Sequence, residues 1–340
     1  MQGMEPQIRY CTTVSGLRVA YSTVGQGPGL LVPPGWIGHL ELLWQDPLVR
    51  GFYLPLARHR TVVRWDKPSC GLSDPSPDPP SLEADLEVLE GVADQLGLDR
   101  LDLLGISMGA PTSIAFATRH PDRVGRLVLY GGFANGQELG PAEARAATMD
   151  LIRAHWGLGS DVLADIFIPD ADAQRRAQFA RLQRASASAE VACQLLAQCY
   201  LLRVEDLLDQ VASPTLVIHR REDRAVPYRL GRDLAARIPG ARLVSLDGQA
   251  HFPYYGDAEP IVRAILEFLG APPPRRQPDR LTARQLEVAA LVAEGCSNRQ
   301  IAERLGIEER SAEGHVERIR QRLGFTSRTQ IAAWWAHTTT

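Results

Sequence analysis

The sequence has 340 residues, of which 45% are hydrophobic and 23% charged, and its formal net charge is −3. This length exceeds one ordinary domain and allows a core of roughly 250 to 270 residues followed by a small module. No apolar run approaches the ~20 residues that a membrane span requires, and the N-terminus has no basic and then apolar signal region. We therefore expect a cytoplasmic protein with no membrane partner.

The cysteine content argues against a fold held by disulfides and against a zinc site. The five cysteines are Cys11, Cys70, Cys193, Cys199 and Cys296. Their odd number and the lack of a C-x-x-C pair disfavour both a disulfide framework and a zinc site. The sequence implies no metal and no organic cofactor.

Short strand-like runs alternate with helix-length stretches between residue 7 and about residue 247. The runs are LRVAYSTVG, LLVP, TVVRWD, RLDLLGIS, RLVLYGG, PTLVIH and ARLVSLDG. This alternation predicts an α/β fold with a mostly parallel sheet and helices on both faces. Between Gly132 and about Asp209 no strand signal appears, so consecutive helices are expected to form an inserted lid over about residues 133–209.

A proline-rich stretch, GAPPPRRQPDR, separates this region from a helical C-terminus. Its proline density is typical of a stiff, extended linker. We therefore divide the chain into a domain over residues 1–270, a linker over 271–279 and a small all-α domain over 280–340.

The C-terminal domain is predicted to contain four helices, at about 283–294, 298–305, 309–323 and 328–336. Two S/T-x-x-Q capping boxes support the first two helix starts, Thr282 with Gln285 and Ser297 with Gln300. The second and third helices are joined by a turn of a few residues that begins at Gly306, as in a helix-turn-helix motif.

A G-x-S-x-G pattern, Gly105 to Gly109, directly follows the strand run RLDLL and precedes the helical stretch APTSIAFATRHP. The pattern alone is weak evidence, but this context places Ser107 at a strand-to-helix turn, where a nucleophilic serine is exposed. A nucleophilic serine needs a histidine base and an orienting carboxylate. The downstream histidines weighed as this base are His155 in the expected lid, His219 at a strand end, and His251 in the loop after the last strand.

The carboxylate candidates are Glu222 and Asp223, which follow the strand that ends at His219. Two further motifs join them, VPPGWIGHLEL and RWDKPSCGLSD. With these motifs, residues 1 to about 270 resemble an α/β-hydrolase. The resemblance implies His251 as base and Asp223 as acid, with Glu222 as the alternative.

The same resemblance implies that the main-chain N–H groups of Met108 and Trp36 form an oxyanion hole. Two departures from the family pattern affect this region. Pro34 stands where the family usually has His, and Pro68-Ser69 stands where it usually has Arg-Gly. Neither removes a catalytic atom, because the oxyanion hole uses main-chain donors, but both change the pocket and are expected to reduce turnover.

Residues 280–336 resemble the LuxR-type DNA-binding domain. The match runs through LTARQLEVAALVAEGCSNRQIAERLGI, EGHVERI, RQRLG and SRTQIAAWW. The resemblance implies that the third helix enters the major groove of double-stranded DNA. Nine Arg and seven Glu from residue 280 onward make this module only weakly basic, so a homodimer through the last helix is expected to supply additional affinity.

The resemblance also indicates which side chains face DNA. Base contacts are expected from the exposed N-terminal half of the third helix, and phosphate contacts from basic and polar residues around it. The predicted DNA-binding residues are Asn298, Arg299, Arg310, Ser311, Glu313, Arg318, Arg322 and Arg328.

Together the two domains predict a transcriptional regulator whose hydrolase-like domain binds, and in one version hydrolyses, a small-molecule ligand. The apolar composition of the lid indicates an apolar or amphipathic ligand, with Trp156 or Phe167 as lining candidates. The alternative is a working serine esterase or amidase in which the DNA-binding tail only sets location or oligomeric state.

Overall fold

An eight-stranded β-sheet forms the centre of the N-terminal part of the chain in the computed structural model. The strands are β1 (Gln7–Thr12), β2 (Arg18–Val24), β3 (Gly29–Val32), β4 (Thr61–Trp65), β5 (Leu101–Ile106), β6 (Val124–Tyr130), β7 (Thr215–Arg220) and β8 (Arg242–Leu246). Their order across the sheet is β1-β2-β4-β3-β5-β6-β7-β8. The pairs β1·β2 and β2·β4 are antiparallel, and every later pair is parallel. The structure describes residues 5–271, 281, 283–323, 325 and 327–338.

Ten helices connect and cover these strands. They are α1 (Leu40–Gln45), α2 (Pro47–Ala57), α3 (Leu82–Gln95), α4 (Gly109–Arg119), α5 (Ala142–Ala154), α6 (Trp156–Phe167), α7 (Ala173–Ser186), α8 (Ala189–Leu201), α9 (Tyr228–Arg237) and α10 (Glu259–Phe268). Helices α2 and α10 pack with Leu104 on one face of the sheet, and α3, α4 and α9 pack with Leu103 on the other. Every residue of β5 and β7 is buried for this reason. The predicted α/β class is confirmed.

Four consecutive helices, α5 to α8, lie between β6 and β7, where no strand had been predicted. One short bridge, between Asn135 and Arg203, is the only β pairing described in this insertion. The sequence runs had not included β1. This strand lies at the edge of the sheet with only Cys11 buried, so it lacks the apolar alternation by which a strand is recognised.

Contacts divide the chain into two compact units, Met1–Pro273 and Pro274–Thr340. The predicted linker lies outside the described residues except for Ala271, and its boundaries stay a prediction. The described helices of the second unit are α11 (Ala283–Ala293), α12 (Asn298–Leu305), α13 (Glu309–Leu323) and α14 (Arg328–Thr338). Among the described helices, none has the length and apolar character to cross a membrane.

The second unit follows the predicted helix signals closely. Ser297 and Gln300 form the expected capping box, and Gly306 ends α12 in the left-handed conformation, with φ of 62°. The other predicted box depends on Thr282, which lies outside the described residues. Val288, Ile301 and Ile319 are fully buried in one apolar core shared by the helices.

A buried ion pair and one hydrogen bond to it connect the loop after β4, helix α3 and the inserted helix α8. Lys67, the only lysine of the sequence, follows β4 and contacts Asp85 of α3 at 2.5 Å. Asp85 also accepts a hydrogen bond from Gln198 of α8 at 3.1 Å. Both charged side chains are at most 10% exposed, so neither is stabilised by bulk water.

We expect Lys67→Met to lower the free energy of unfolding by about 3 to 5 kcal/mol, because it leaves the Asp85 carboxylate buried without a cation. The double variant Lys67→Met/Asp85→Leu should recover most of that loss. Urea denaturation of the two variants and the wild type measures the difference. A single variant as stable as the wild type would show that the pair contributes nothing to the fold.

Candidate functional site

Ser107 lies on a sharp turn between β5 and α4, with the left-handed φ of 54°. Few side chains adopt this conformation without strain. The turn is close-packed, because a Cβ on Gly105 would lie 2.6 Å from Ser113 Oγ and one on Gly109 would lie 2.4 Å from the Pro33 carbonyl oxygen. Gly105 is therefore required by the close approach of α4, and Gly109 by the close approach of the segment that follows β3.

The Ser107 side chain is hydrogen-bonded to the predicted base. Ser107 Oγ lies 2.7 Å from His251 Nε2, and His251 Nδ1 lies 2.8 Å from Asp223 Oδ2. Because a carboxylate only accepts, His251 Nδ1–H is the donor to Asp223. A ring that carries its proton at Nδ1 alone accepts at Nε2, so the Ser107 hydroxyl is then the donor. The structure thus brings together the three residues Ser107, His251 and Asp223.

The loop after β7 holds the Asp223 carboxylate in place. Its second oxygen, Oδ1, accepts hydrogen bonds from the main-chain N–H groups of Ala225 and Val226, at 2.9 and 3.0 Å. Burial raises the pKa of Asp223, but the charge and hydrogen bond of His251, with smaller contributions from His219 and Val226, outweigh it and lower the pKa below its ordinary value. The carboxylate therefore stays ionised opposite the imidazole.

A second histidine also approaches this carboxylate. His219 Nε2 lies 2.9 Å from the Val226 carbonyl oxygen and 3.7 Å from Asp223 Oδ2. Burial lowers the pKa of His219 against the opposing effects of Asp223 and the Val226 carbonyl. Its ring is fully buried, and a Cβ on Gly231 would lie 2.2 Å from Nδ1. His219 therefore supports the acid loop as a neutral donor.

Arg220 holds the loop that carries His251. Its guanidinium donates hydrogen bonds to the carbonyl oxygens of Ala250 and Phe252, at 2.6 and 3.1 Å, and to that of Tyr255 at 2.6 Å. Sequence reasoning did not single out Arg220. The available signal was an arginine at the end of a strand whose run LVI is apolar, a position that requires polar partners when the strand is buried.

Aromatic side chains from the inserted helices surround the site. The Phe167 ring stacks on the His251 ring with centroids 5.7 Å apart, and the main-chain N–H of His251 donates to the Phe167 carbonyl oxygen. Trp36 packs edge-on against Phe167 and Trp156, at 5.7 and 6.4 Å. Trp36 and Met108, the two residues with predicted oxyanion donors, belong to one apolar cluster with these helices.

The remaining candidates from the sequence lie outside this arrangement. His155 is exposed and caps α6 by accepting a hydrogen bond from the Leu158 N–H. Glu222 accepts one from the Gly248 N–H at 2.8 Å, at an exposed position. In the described part of the chain, no group of three or more His, Cys, Asp or Glu side chains is arranged to hold a metal ion.

In the second unit, α13 has one buried and one exposed face. Ala312, Val316 and Ile319 point into the core. Arg310 and Glu313 lie on the opposite, exposed face, as expected for side chains that reach base edges. Ser311 is also exposed.

Several predicted phosphate contacts have partners inside this unit. Arg328 donates to Asn298 Oδ1 at 2.6 Å and to the Cys296 carbonyl oxygen, and Arg322 donates to Gln285 Oε1 at 2.8 Å. The other two basic residues make weaker contacts on the surface, Arg299 with Glu303 at 3.2 Å and Arg318 with His315 at 3.5 Å. Contact of these residues with DNA stays a prediction.

The buried His219 predicts how stability depends on pH. Because its pKa is lowered in the folded protein, the unfolded chain binds a proton more readily. Its contribution to the free energy of unfolding is complete above the ordinary pKa of 6.5 and is lost progressively as the pH falls below that value. Urea midpoints measured from pH 7.5 to 5 should fall less steeply for His219→Gln than for the wild type.

His59→Gln is the matched control for this measurement, because it removes a partly exposed histidine and should keep the wild-type slope. Equal slopes for His219→Gln and the wild type would contradict the neutral, buried assignment.

Comparison with known proteins gives a consistent result for both units. Residues 28–258 match the alpha/beta hydrolase fold family, and residues 279–335 match the luxR family of bacterial regulatory proteins. A 2-hydroxy-6-oxononadienedioate/2-hydroxy-6-oxononatrienedioate hydrolase of Cupriavidus pinatubonensis is 30% identical over 268 residues, which are 76% of this chain and 89% of the relative. A hydrolase of the same name from Pseudomonas putida is 29% identical over 78% of this chain and 92% of its own length.

Solved structures agree on the fold. A hydrolase from Pseudomonas aeruginosa superposes with a TM-score of 0.67 at 25% identity, covering 78% of this chain and 99% of its own. The enol-lactonase from Burkholderia xenovorans superposes with a TM-score of 0.68 at 23% identity, over 77% of this chain and 100% of its own. The chain belongs to the alpha/beta hydrolase fold family and carries a C-terminal helix-turn-helix domain of the luxR family of bacterial regulatory proteins.

Proposed function

We propose that the protein is a ligand-responsive transcriptional regulator that acts in the cytoplasm as a homodimer. Its hydrolase domain, residues 1–270, binds an acyl-containing small molecule, and its DNA-binding domain, residues 280–340, acts on double-stranded DNA. The observation that carries the proposal is the hydrogen-bonded chain Ser107–His251–Asp223 in a polypeptide that also contains a luxR-family domain.

In the proposed chemistry, Ser107 Oγ attacks the carbonyl carbon of the ligand while His251 Nε2 takes the hydroxyl proton. Asp223 holds the imidazole through Nδ1–H and stabilises the imidazolium that forms. The main-chain N–H groups of Trp36 and Met108 stabilise the negative oxygen of the tetrahedral intermediate. His251 then returns the proton to the leaving group, and Ser107 retains the acyl group as an ester.

Release of the acyl group requires a water molecule that His251 activates in the same way. Pro34 and the Pro68-Ser69 pair alter the surroundings of the site relative to the usual family pattern. The proposal is that this second step is slow, so that the acylated or ligand-bound form persists long enough to act as a signal.

The surroundings of the site support an apolar or amphipathic ligand. Trp36, Met108 and Phe167 belong to one apolar cluster with the inserted helices. The indole Nε1–H of Trp36 is buried and has no acceptor among the described residues, whereas Trp156 Nε1–H donates to the Ala187 carbonyl oxygen. A buried donor without an acceptor costs free energy, and a ligand oxygen that reaches Trp36 would remove this cost.

A working serine esterase or amidase is the second candidate function. The observation that favours it is the completeness of the hydrogen-bonded Ser107–His251–Asp223 chain, since binding alone requires no such arrangement. The relatives named as 2-hydroxy-6-oxononadienedioate/2-hydroxy-6-oxononatrienedioate hydrolases add support for turnover. In this version the DNA-binding domain sets only the location or oligomeric state of the enzyme.

DNA recognition is proposed to use the exposed face of α13. Arg310 is suited to a guanine edge, and Glu313 is suited to the amino group of cytosine. The acidic side chains Glu309, Glu313 and Glu317 on the same helix disfavour binding to phosphates without regard to sequence. A homodimer is proposed because two weakly basic domains on two half-sites supply affinity that one lacks.

Labelling of the purified full chain with a fluorophosphonate probe tests the hydrolase part of the proposal. The Ser107 oxygen should bond to phosphorus with loss of fluoride, and Ser107→Ala should abolish labelling. His251→Ala should reduce the labelling rate at least about a hundredfold, because the base is absent. Asp223→Asn should reduce it similarly, because the histidine loses its correct tautomer. Absence of labelling in the wild type would contradict the assignment of an active nucleophile.

The alternative residues from the sequence provide matched controls. His155→Ala and Glu222→Gln remove the same kinds of group outside the hydrogen-bonded chain, and both variants should label at rates close to the wild type. A loss equal to that of His251→Ala or Asp223→Asn would overturn the choice between the candidates.

A further inference from the structure

A groove of about 430 Å³ lies at the end of the sheet where the parallel strands begin, opposite the end that carries Ser107. Ser107, Asp223 and His251 all follow the carboxyl ends of parallel strands. The groove is instead lined by residues at the amino ends of the strands, including Arg60 before β4, Arg100 before β5 and Arg126 near the start of β6. It is therefore a separate site from the hydrolase centre.

The charges that line the groove are mostly positive. Arg60 is buried and is committed to the protein, because its Nε contacts Asp102 Oδ2 at 3.3 Å and its Nη2 donates to the Leu269 carbonyl oxygen at 2.5 Å. Burial raises the pKa of Asp102, and the charges of Arg60 and Arg126 oppose this effect. The single carboxylate in the groove is thus neutralised locally.

Neither Arg100 nor Arg126 forms an ion pair with a described residue, although the positive charge of Arg126 acts on Asp102 from a greater distance. Both residues line the groove, which therefore contains three arginines and one aspartate. Arginine guanidinium groups bind phosphate oxygens through two parallel hydrogen bonds, a geometry that lysine does not offer. Two arginines that line one cavity, beside an aspartate already paired with Arg60, match a doubly charged oxyanion.

The backbone keeps the floor of the groove open. A Cβ on Gly125 would lie 2.8 Å from Asp102 Oδ1 and 3.4 Å from Arg100 Nε, so a larger residue would displace both charged groups. The pairing of β5 with β6 is irregular between Leu101 and Leu103. Such an irregularity redirects side chains at the rim of a sheet.

We propose that this groove binds the phosphate group of a phosphate-bearing ligand, held by Arg100 and Arg126. The site is independent of the proposed chemistry at Ser107. Leu269, whose carbonyl oxygen accepts from Arg60, is among the last described residues of the first unit. A bound phosphate therefore lies close to the C-terminal end of α10 and supplies the protein with a second input.

Isothermal titration of the full chain with pyrophosphate tests the proposal. The double variant Arg100→Gln/Arg126→Gln should weaken pyrophosphate binding at least about tenfold. The matched control Arg153→Gln/Arg181→Gln removes the same two charges from exposed positions on α5 and α7 and should bind as the wild type does. Equal circular dichroism melting curves establish that both double variants are folded.

Two further titrations distinguish the source of the phosphate. If the wild type binds ATP and the Arg100→Gln/Arg126→Gln variant does not, the ligand is a free, nucleotide-like molecule. If the variant loses affinity only for a random-sequence DNA duplex, the phosphate that the groove binds belongs to the DNA backbone. Failure of the wild type to bind pyrophosphate or ATP, together with an unchanged affinity for the duplex in the variant, overturns the proposal. Equal weakening in both double variants also overturns it, since bulk charge then explains the effect.

Discussion

The left-handed backbone of Ser107 is the constraint on which the hydrolase site depends. Its φ of 54° turns the chain from a fully buried strand directly into α4, so that the side chain leaves the sheet at its carboxyl edge. The Ser107 N–H donates to the Tyr130 carbonyl oxygen of the neighbouring strand, which fixes the turn. Because β7 and β8 end on the same side of the sheet as β5, their following loops bring His251 within hydrogen-bonding range of Ser107, and Asp223 within hydrogen-bonding range of His251.

Sequence reasoning succeeded where the physical requirement is local. The strand before Ser107, the glycines beside it and the Ser297 capping box each depend on residues within a few positions, and the sequence predicts all three. Edge strand β1 was missed because pairing with β2, and not burial, stabilises it. Arg220 was missed because its partners, the carbonyl oxygens of Ala250, Phe252 and Tyr255, are main-chain atoms about 30 residues away and leave no trace in side-chain patterns.

The two units make different demands on charge. Near Ser107 the imidazole of His251 is buried against the aromatic rings of Phe167 and Phe252, and this low-dielectric surrounding strengthens its hydrogen bonds. In the second unit, acidic residues share the exposed face of α13 with arginines, which favours selectivity over strength of binding. A ligand can change how much of a DNA site is occupied when the regulator has weak general affinity for DNA. A coupling free energy of about 1 to 3 kcal/mol, which is about 5- to 150-fold in affinity, then decides whether the DNA site is filled.

The most direct measurement is the DNA affinity of the full chain before and after covalent occupation of Ser107 by a fluorophosphonate. A duplex selected from a random library with the unmodified protein serves as the target, and Ser107→Ala treated with the same reagent serves as the control. The proposed regulator requires the modified protein to differ from the unmodified protein by at least about fivefold, with no change in the control. Equal affinities for the modified and unmodified wild type would contradict coupling between the two units and would favour an enzyme that carries a DNA-binding tail.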